Sequence, residues 1–326
     1  MGLKVFRLTL TVLLAQPNLF WAEWNTKDFQ KREHSLIKPY QGSGFGVPNW
    51  DFQGSTMVTS NYIRLTPDQR SKQGALWNKI PCRVRNWEVQ ISFKVTGSTK
   101  ELFGDGFAFW YTKERMENGP VFGSKDHFSG LAIIGDTYSN HNAHNHHQHP
   151  YLSAMVNNGS ISYDHDRDGT HTMLGGCTLQ FRNMNHETWI AIRYENDKLT
   201  VSHDLHNKRA WAPCFSVDGV KLPTGYYFGM SATTGDLSDA HDVISIKTYE
   251  LDTADGVSKE ERPNIQPESE FVVTAPREHT EDPEPSMSGI KKFLIGILVF
   301  VGIVVVVVIG IMIYQNQQAN NRKRFY

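Results

Sequence analysis

Trp87-Glu-Val-Gln-Ile-Ser-Phe-Lys-Val95 alternates without a break: Trp87, Val89, Ile91, Phe93 and Val95 on one side, Glu88, Gln90, Ser92 and Lys94 on the other. Successive side chains leave a pleated strand in opposite directions, so this period predicts a β-strand with one face in a core. Working outward, shorter apolar runs predict strands at 107–111, 131–134, 151–156, 160–163, 189–194, 199–204, 226–232 and 243–251. Asn158-Gly159 and Asn196-Asp197 punctuate two of the gaps with residues that tolerate the positive φ of hairpin turns. No amphipathic helical stretch and no internal repeat interrupts residues 24–251. Many short strands without helices predict an all-β antiparallel sandwich.

The two ends have another character. Lys4 and Arg7 precede an apolar run at 8–15 and a polar exit near Ala22, the order of a secretory signal over 1–22. Residues 293–314 are 22 in a row without charge, five of them consecutive valines from Val304 to Val308. As a helix they reach about 33 Å, enough to cross the hydrocarbon core. A signal and one late span predict a type I membrane protein with a lumenal domain at 23–251 and a cytoplasmic tail at 315–326. Arg322, Lys323 and Arg324 fit positive-inside placement, but Lys291 and Lys292 on the other flank blunt it, so the signal carries the orientation. Residues 252–290 hold five prolines and ten acidic residues against three basic ones, an extended, mostly disordered stem. It has no heptads, so a monomer is expected.

Lys and Arg total 33 against 34 Asp and Glu, which excludes the basic field that nucleic-acid binding needs. Cys82, Cys177 and Cys214 predict one disulfide and one thiol in an oxidising lumen, with three possible pairings.

Catalysis finds little material. A glycanase needs two carboxylates across the scissile bond, and Glu195 and Asp197, the pair weighed for it, sit inside a turn signal without a further partner. Cys82 follows Pro81 with no base nearby. A hard cation is better served. Asp136, Tyr138 and Asn140 stand at alternate positions just past the apolar run 131–134, offering two side-chain oxygens and a carbonyl of the kind calcium takes. Asp164-His-Asp-Arg-Asp168 can close the shell.

Many ordered segments resemble one family, the animal leguminous-type lectins of the early secretory pathway, and within it the vesicular integral-membrane lectins. They include Glu33-His-Ser-Leu-Ile-Lys-Pro-Tyr40, Trp50-Asp-Phe-Gln-Gly-Ser-Thr-Met57, Gly104-Asp-Gly106, Gly119-Pro-Val-Phe-Gly123, Asp136-Thr-Tyr138, Met155-Val-Asn-Asn-Gly-Ser160, Ser162-Tyr-Asp-His165, Leu222-Pro-Thr-Gly-Tyr-Tyr-Phe-Gly229 and Thr234-Gly-Asp-Leu-Ser-Asp239. The resemblance runs from about 33 to 251, and the closing Lys323-Arg-Phe-Tyr326 matches too.

The resemblance implies a concanavalin-like sandwich (jelly roll) that is not an enzyme. It implies a Ca2+ site at Asp136, the Tyr138 carbonyl, Asn140 and Asp168, and mannose contacts at Ser71, Asp105, Asn140, His165, Gly235, Asp236 and Leu237. It also implies a Cys177–Cys214 disulfide, a buried Cys82 thiol and a cis peptide before Asp105. The implied function is a calcium-dependent lectin for high-mannose N-glycans, a cargo receptor cycling through endoplasmic reticulum, intermediate compartment and Golgi membranes. Arg322, Lys323 and Arg324 resemble retrieval and retention signals, and Phe325-Tyr326 an export signal, for engaging vesicle coat machinery. A glycan-independent cargo receptor or chaperone, or a glycanase, are the competing classes.

The chemistry agrees with that assignment. A neutral sugar presents hydroxyls that both donate and accept, so its site needs carboxylates, an amide and backbone N–H groups together. Asp105 between two glycines allows the backbone to carry its carboxylate to the surface. Two features stand apart. His141, His144, His146, His147 and His149 fill nine residues where the family is acidic and polar, either a solvated variable loop or a pH- or metal-sensitive device. Asn158-Gly-Ser160 is an N-glycosylation sequon on an expected hairpin tip.

Overall fold

The computed structural model describes residues 29–40, 46–100, 103–140, 148–251, 262–270 and 289–322. The signal at 1–22, His141, His144, His146, His147 and the tail residues Lys323, Arg324, Phe325 and Tyr326 lie outside them. Two seven-stranded antiparallel sheets form the first of two units, residues 1–278. The first sheet runs β1 (Trp50–Gly54), β4 (Gln73–Asn78), β13 (Tyr227–Thr233), β6 (Gly106–Thr112), β7 (Ser129–Asp136), β8 (Tyr151–Asn158), β9 (Gly175–Thr178). The second runs β12 (Ala212–Asp218), β11 (Lys198–Asp204), β10 (Thr188–Glu195), β5 (Trp87–Thr96), β14 (Ala240–Glu250), β3 (Ile63–Thr66), β2 (Met57–Val58).

The alternating stretch at 87–95 is β5, central in its sheet between β10 and β14. Its odd-numbered side chains enter the core between the sheets, where Trp87 packs on Tyr111, Tyr194 and Phe228 and Phe93 on Phe107 and Phe181. Its opposite face is less wet than alternation predicts. Glu88 and Ser92 are fully buried: Glu88 takes bonds from Gln90 and Arg193, and Ser92 donates to Glu187. A central strand is flanked by long side chains of its neighbours, and these cover it.

The runs at 107–111 and 131–134 do not alternate because both faces of the first sheet are buried. Phe107, Phe109, Leu131 and Ile133 face the other sheet. Ala108, Trp110, Ala132 and Ile134 form a second core with Trp77, Phe122, Phe128 and Tyr163, on the side away from it. The long loops that supply Phe122, Phe128 and Tyr163 also carry part of the functional site.

The Asn196-Asp197 turn holds, with both residues at positive φ, and joins β10 to β11. The strand expected at 160–163 does not form. Asn157 donates to the Ile161 carbonyl and accepts from the Gly159 and Ile161 amides, so one side chain supplies the partners a neighbouring strand would have supplied. Strands β1, β2, β3, β4, β9 and β12 lie outside the expected set; they are short, and their sequences carry no clean period.

Cys177 on β9 and Cys214 on β12 form the disulfide, Cα atoms 5.5 Å apart, tying edge strands of different sheets. Cys82 is the buried thiol, its pKa pushed up to about 12 by burial. The bridge closes a loop of 37 residues, for which chain entropy gives about 4 kcal/mol. Cys177→Ser with Cys214→Ser is therefore expected to lower stability by roughly that amount, read as a fall in the urea midpoint at unchanged slope.

Residues 262–270, expected within the disordered stem, instead lie along the domain. Lys221 and Glu268 exchange both backbone hydrogen bonds, at 2.8 and 3.0 Å, and Arg262 pairs with Asp197. The backbone thus finds partners that a solvated stem lacks. The second unit contains α1 (Gly289–Arg322), whose window Ile297–Tyr314 has mean hydropathy 3.2, long and apolar enough to cross a membrane.

Candidate functional site

The strand register decides where chemistry collects. Gln73, Thr233, Gly106 and Asp136 stand in one row across β4, β13, β6 and β7. Four adjacent strands therefore start or stop at the same edge of the first sheet, and their loops converge there: Ser71 before β4, 234–239 after β13, Asp105 before β6, and 137–140 after β7.

Asp105 follows a cis Gly104–Asp105 peptide. Its carbonyl accepts from the Thr137 amide and hydroxyl, both at 2.9 Å. A Cβ built on Gly235 would sit 3.2 Å from each Asp105 carboxylate oxygen, so that loop's bare backbone faces the carboxylate. A Cβ on Gly104 would meet Tyr138 at 3.2 Å and Leu237 at 3.6 Å. Ser71, at φ 53, donates its amide to the Gly235 carbonyl. Thr234 accepts from the Lys72 amide and donates to the Gln69 carbonyl. At the far end of the same loop, Asp239 is fully buried and Arg182 grips both its oxygens, at 2.8 to 3.0 Å. The loop is pinned at both ends, and Asp236 projects exposed between them.

Asp136 and Asp168 come from separate elements. Asp136 ends β7 and accepts from the Tyr138 amide at 3.0 Å. Asp168 caps a 3-10 turn at His165–Arg167, in the left-handed region at φ 50, and accepts from the Asn140 amide at 2.9 Å. Both carboxylates are buried, and burial first, then Asp168, pushes the Asp136 carboxyl far above the ordinary value. Two buried acids facing each other suit a divalent ion. With the Tyr138 carbonyl and the Asn140 amide alongside, the donors are hard oxygens, and calcium fits them. His165 sits on the rim, its ring on Tyr163 at 4.7 Å and Phe122 at 5.8 Å; a Cβ on Gly106 would touch that same Phe122 ring.

Of the ten residues expected to hold the ion or the sugar, Asp105, Asp136, Tyr138, Asn140, His165, Asp168, Gly235 and Leu237 lie at this rim, with Ser71 and Asp236 on the loops that converge there; Ser71, Tyr138, Asn140 and Asp236 are exposed. The structure adds His149, Thr137, Thr234, Arg182 and Asp239. Only His149 had been noticed, as one of five loop histidines; the others have no local signature, because their partners lie on other strands. Asn158 is exposed at the end of β8, with its Oδ1 accepting from the Ser160 amide and hydroxyl. Glu195 and Asp197, the pair weighed for hydrolysis, are held by Arg193 and Arg262 at the hairpin, away from this edge.

The family model described as the legume-like lectin family matches residues 27–258. This chain belongs to the legume-like lectin family. Among its curated relatives, mouse vesicular integral-membrane protein VIP36 is 51% identical over 306 residues, spanning 91% of this chain and 84% of the relative. Human VIP36-like protein is 50% identical, over 92% of this chain and 87% of the relative. The solved lumenal domain of VIP36 in its Ca2+- and mannose-bound form aligns at TM-score 0.71 and 53% identity, covering 75% of this chain and all of that one. That lectin domain has also been solved metal-free and with Ca2+ and Man3GlcNAc.

In this legume-like lectin Asp105 titrates in a useful range. Burial first, then Asp236, pushes its pKa up to about 6. Were Asp105 the group that accepts from the sugar hydroxyls, mannose affinity would be expected to fall as pH drops through about 6. A nearby cation favours the charged form, so the midpoint should move lower as calcium is raised. Titrations of mannose binding from pH 7.5 to about 5 at two calcium concentrations check both signs.

Proposed function

We propose that this chain is a calcium-dependent lectin that captures high-mannose N-glycans on secretory glycoproteins and carries them between endoplasmic reticulum and Golgi as a type I membrane protein. The observation that supports it is the convergence, on one sheet edge, of the Asp105 carboxylate and the Gly235–Leu237 backbone beside the Asp136–Asp168 pair. The VIP36 domain that shares this fold has been solved with Ca2+ and mannose bound.

Bound calcium supplies the positive charge that draws the two buried carboxylates and the 137–140 loop together. The chain's own groups then do the recognition. Asp105 accepts from two sugar hydroxyls, the Gly235–Leu237 amides donate to sugar oxygens, and Asn140 serves both partners. Ser71 and His165 close the sides of the pocket. The site is shallow and its contacts few, so one hexose should bind with a Kd of about 0.1 to 1 mM. Such an affinity permits release after transport. No catalytic step is assigned to these residues.

Signal, α1 and tail complete the reading. The signal directs the lectin domain to the lumen, α1 spans the bilayer, and Arg322 to Tyr326 engage coat machinery. Asn158 carries an N-glycan there. A glycan array with the full-length protein in detergent, with and without calcium, tests the function. Binding confined to mannose-rich glycans, lost with calcium, is expected. Equal capture of deglycosylated glycoproteins would overturn it in favour of a protein-cargo receptor, and shortened glycans would overturn it in favour of a hydrolase.

A further inference from the structure

Three histidines collect at one end of the β10–β11 pair. His203, near the end of β11, stands opposite Ile190 of β10 in the ladder. His186 lies just before β10 begins, and His206 in the turn after β11. The rings of His186 and His206 have their centres 6.0 Å apart, at an interplanar angle of 72°. The Nδ1 atoms of His186 and His203 are buried and find no hydrogen-bond partner among the described residues.

The backbone that presents these rings is held by other bonds. The buried Asp204 carboxylate accepts from the His206 and Arg209 amides, at 3.0 and 2.6 Å, and so shapes the turn. Trp189 on β10 donates its Nε1 to Asn207 Oδ1 at 3.0 Å, drawing the same turn onto β10. On the other side, Asn183 donates its amide to the Val95 carbonyl at 2.8 Å, and its side chain accepts from the Gly97 amide at 2.9 Å. Both supports of the cluster are therefore fixed, as a preorganised site needs.

The donors suit a transition ion. Imidazole nitrogens take zinc, cobalt and nickel, whereas calcium gathers oxygens. A buried ring nitrogen without a partner is unfavourable, and a bound ion removes that penalty. With metal–nitrogen bonds of about 2.1 Å, two imidazoles on a tetrahedral ion have ring centres about 5 Å apart. The His186 and His206 rings need to close by about 1 Å to reach that spacing, and His206, exposed in its turn, has room to do so. Burial pushes the His203 imidazole below its ordinary pKa, against Asp204 and together with His206, which keeps the ring neutral and able to ligate.

We propose that His186, His203 and His206 form a site for one divalent transition ion of the zinc and cobalt class, sharing no ligand with Asp136, Asn140 or Asp168. The ion ties the loop before β10 to the turn after β11, and water completes its shell.

The test uses the full-length protein in detergent, saturated with calcium, with cobalt as the probe. Bound cobalt is counted by equilibrium dialysis, and a thermal melt is read alongside. Wild type is expected to bind one cobalt more than the double variant His186→Gln with His206→Gln. At 100 times the Kd of that ion, its gain in Tm should exceed the variant's by about 5–10 °C. Each single change, His186→Gln, His203→Gln or His206→Gln, should weaken this cobalt at least about tenfold, since a ligand matters no less than the contacts that orient it. His206 is exposed, so its variant carries the test should His186→Gln disturb folding. A variant with His141, His144, His146, His147 and His149 changed to Gln controls for the other histidines and should keep the ion. Equal cobalt on wild type and the double variant overturns the proposal. So does a site unweakened by the loss of any one of the three, or one lost with the five control histidines.

Discussion

Asp105→Asn is expected to lower mannose affinity by at least about 100-fold, beyond measurement for a millimolar site, with the fold intact. An amide keeps the shape but replaces one acceptor with a donor, and a hydrogen bond to a charged group contributes about 1.5–3 kcal/mol. Two such bonds exceed the roughly 2.7 kcal/mol that a 100-fold change represents. The same variant should not lose stability. Burial and Asp236 already disfavour the charged form of Asp105, so removing the charge relieves the folded state. Calorimetric mannose titration beside a thermal melt reads both effects. Normal binding by the variant would move the sugar site elsewhere, and a collapsed melt would make Asp105 a structural residue.

Removing calcium is expected to abolish mannose binding outright rather than weaken it. Asn140 is shared between ion and sugar in the proposed site, and the 137–140 loop hangs on Asp136 and Asp168 through the Tyr138 and Asn140 amides. Without a cation those two buried carboxylates repel, and burial with Asp168 holds the Asp136 carboxyl well above its ordinary value. Stability should change with occupancy: an ion at 100 times its Kd adds about 2.7 kcal/mol, which for a domain of this size is roughly 5–10 °C in Tm. Asp168→Asn should reproduce both losses without a chelator. A melt indifferent to calcium would show that the carboxylate pair does not bind it.

How far the sequence discloses this differs from element to element. Strand β5 announces itself because one of its faces is core and its other face is polar, even though Glu88 and Ser92 are buried by neighbours no local pattern describes. Strands β6 and β7 read as plain apolar runs for a physical reason, the second core of Trp77, Trp110 and Phe122 behind the sheet. The 160–163 strand failed because Asn157 satisfies the backbone locally. In the site, spacing alone suggested Asp136, Tyr138, Asn140 and the acidic segment ending at Asp168. The sugar residues came from resemblance, since Ser71, Asp105 and Gly235 are brought together only by the register of β4, β13 and β6. His149 looked like one of five interchangeable loop histidines, and only the pairing of β7 with β8 singles it out.

The most direct measurement is a crystal structure of the protein soaked with calcium and a mannose oligosaccharide. A single ion on Asp136, Asn140 and Asp168, with a hexose bonded to the Asp105 carboxylate and the Gly235–Leu237 backbone, is the result expected. A hexose bound on another surface, with those carboxylates bare of metal, would contradict it.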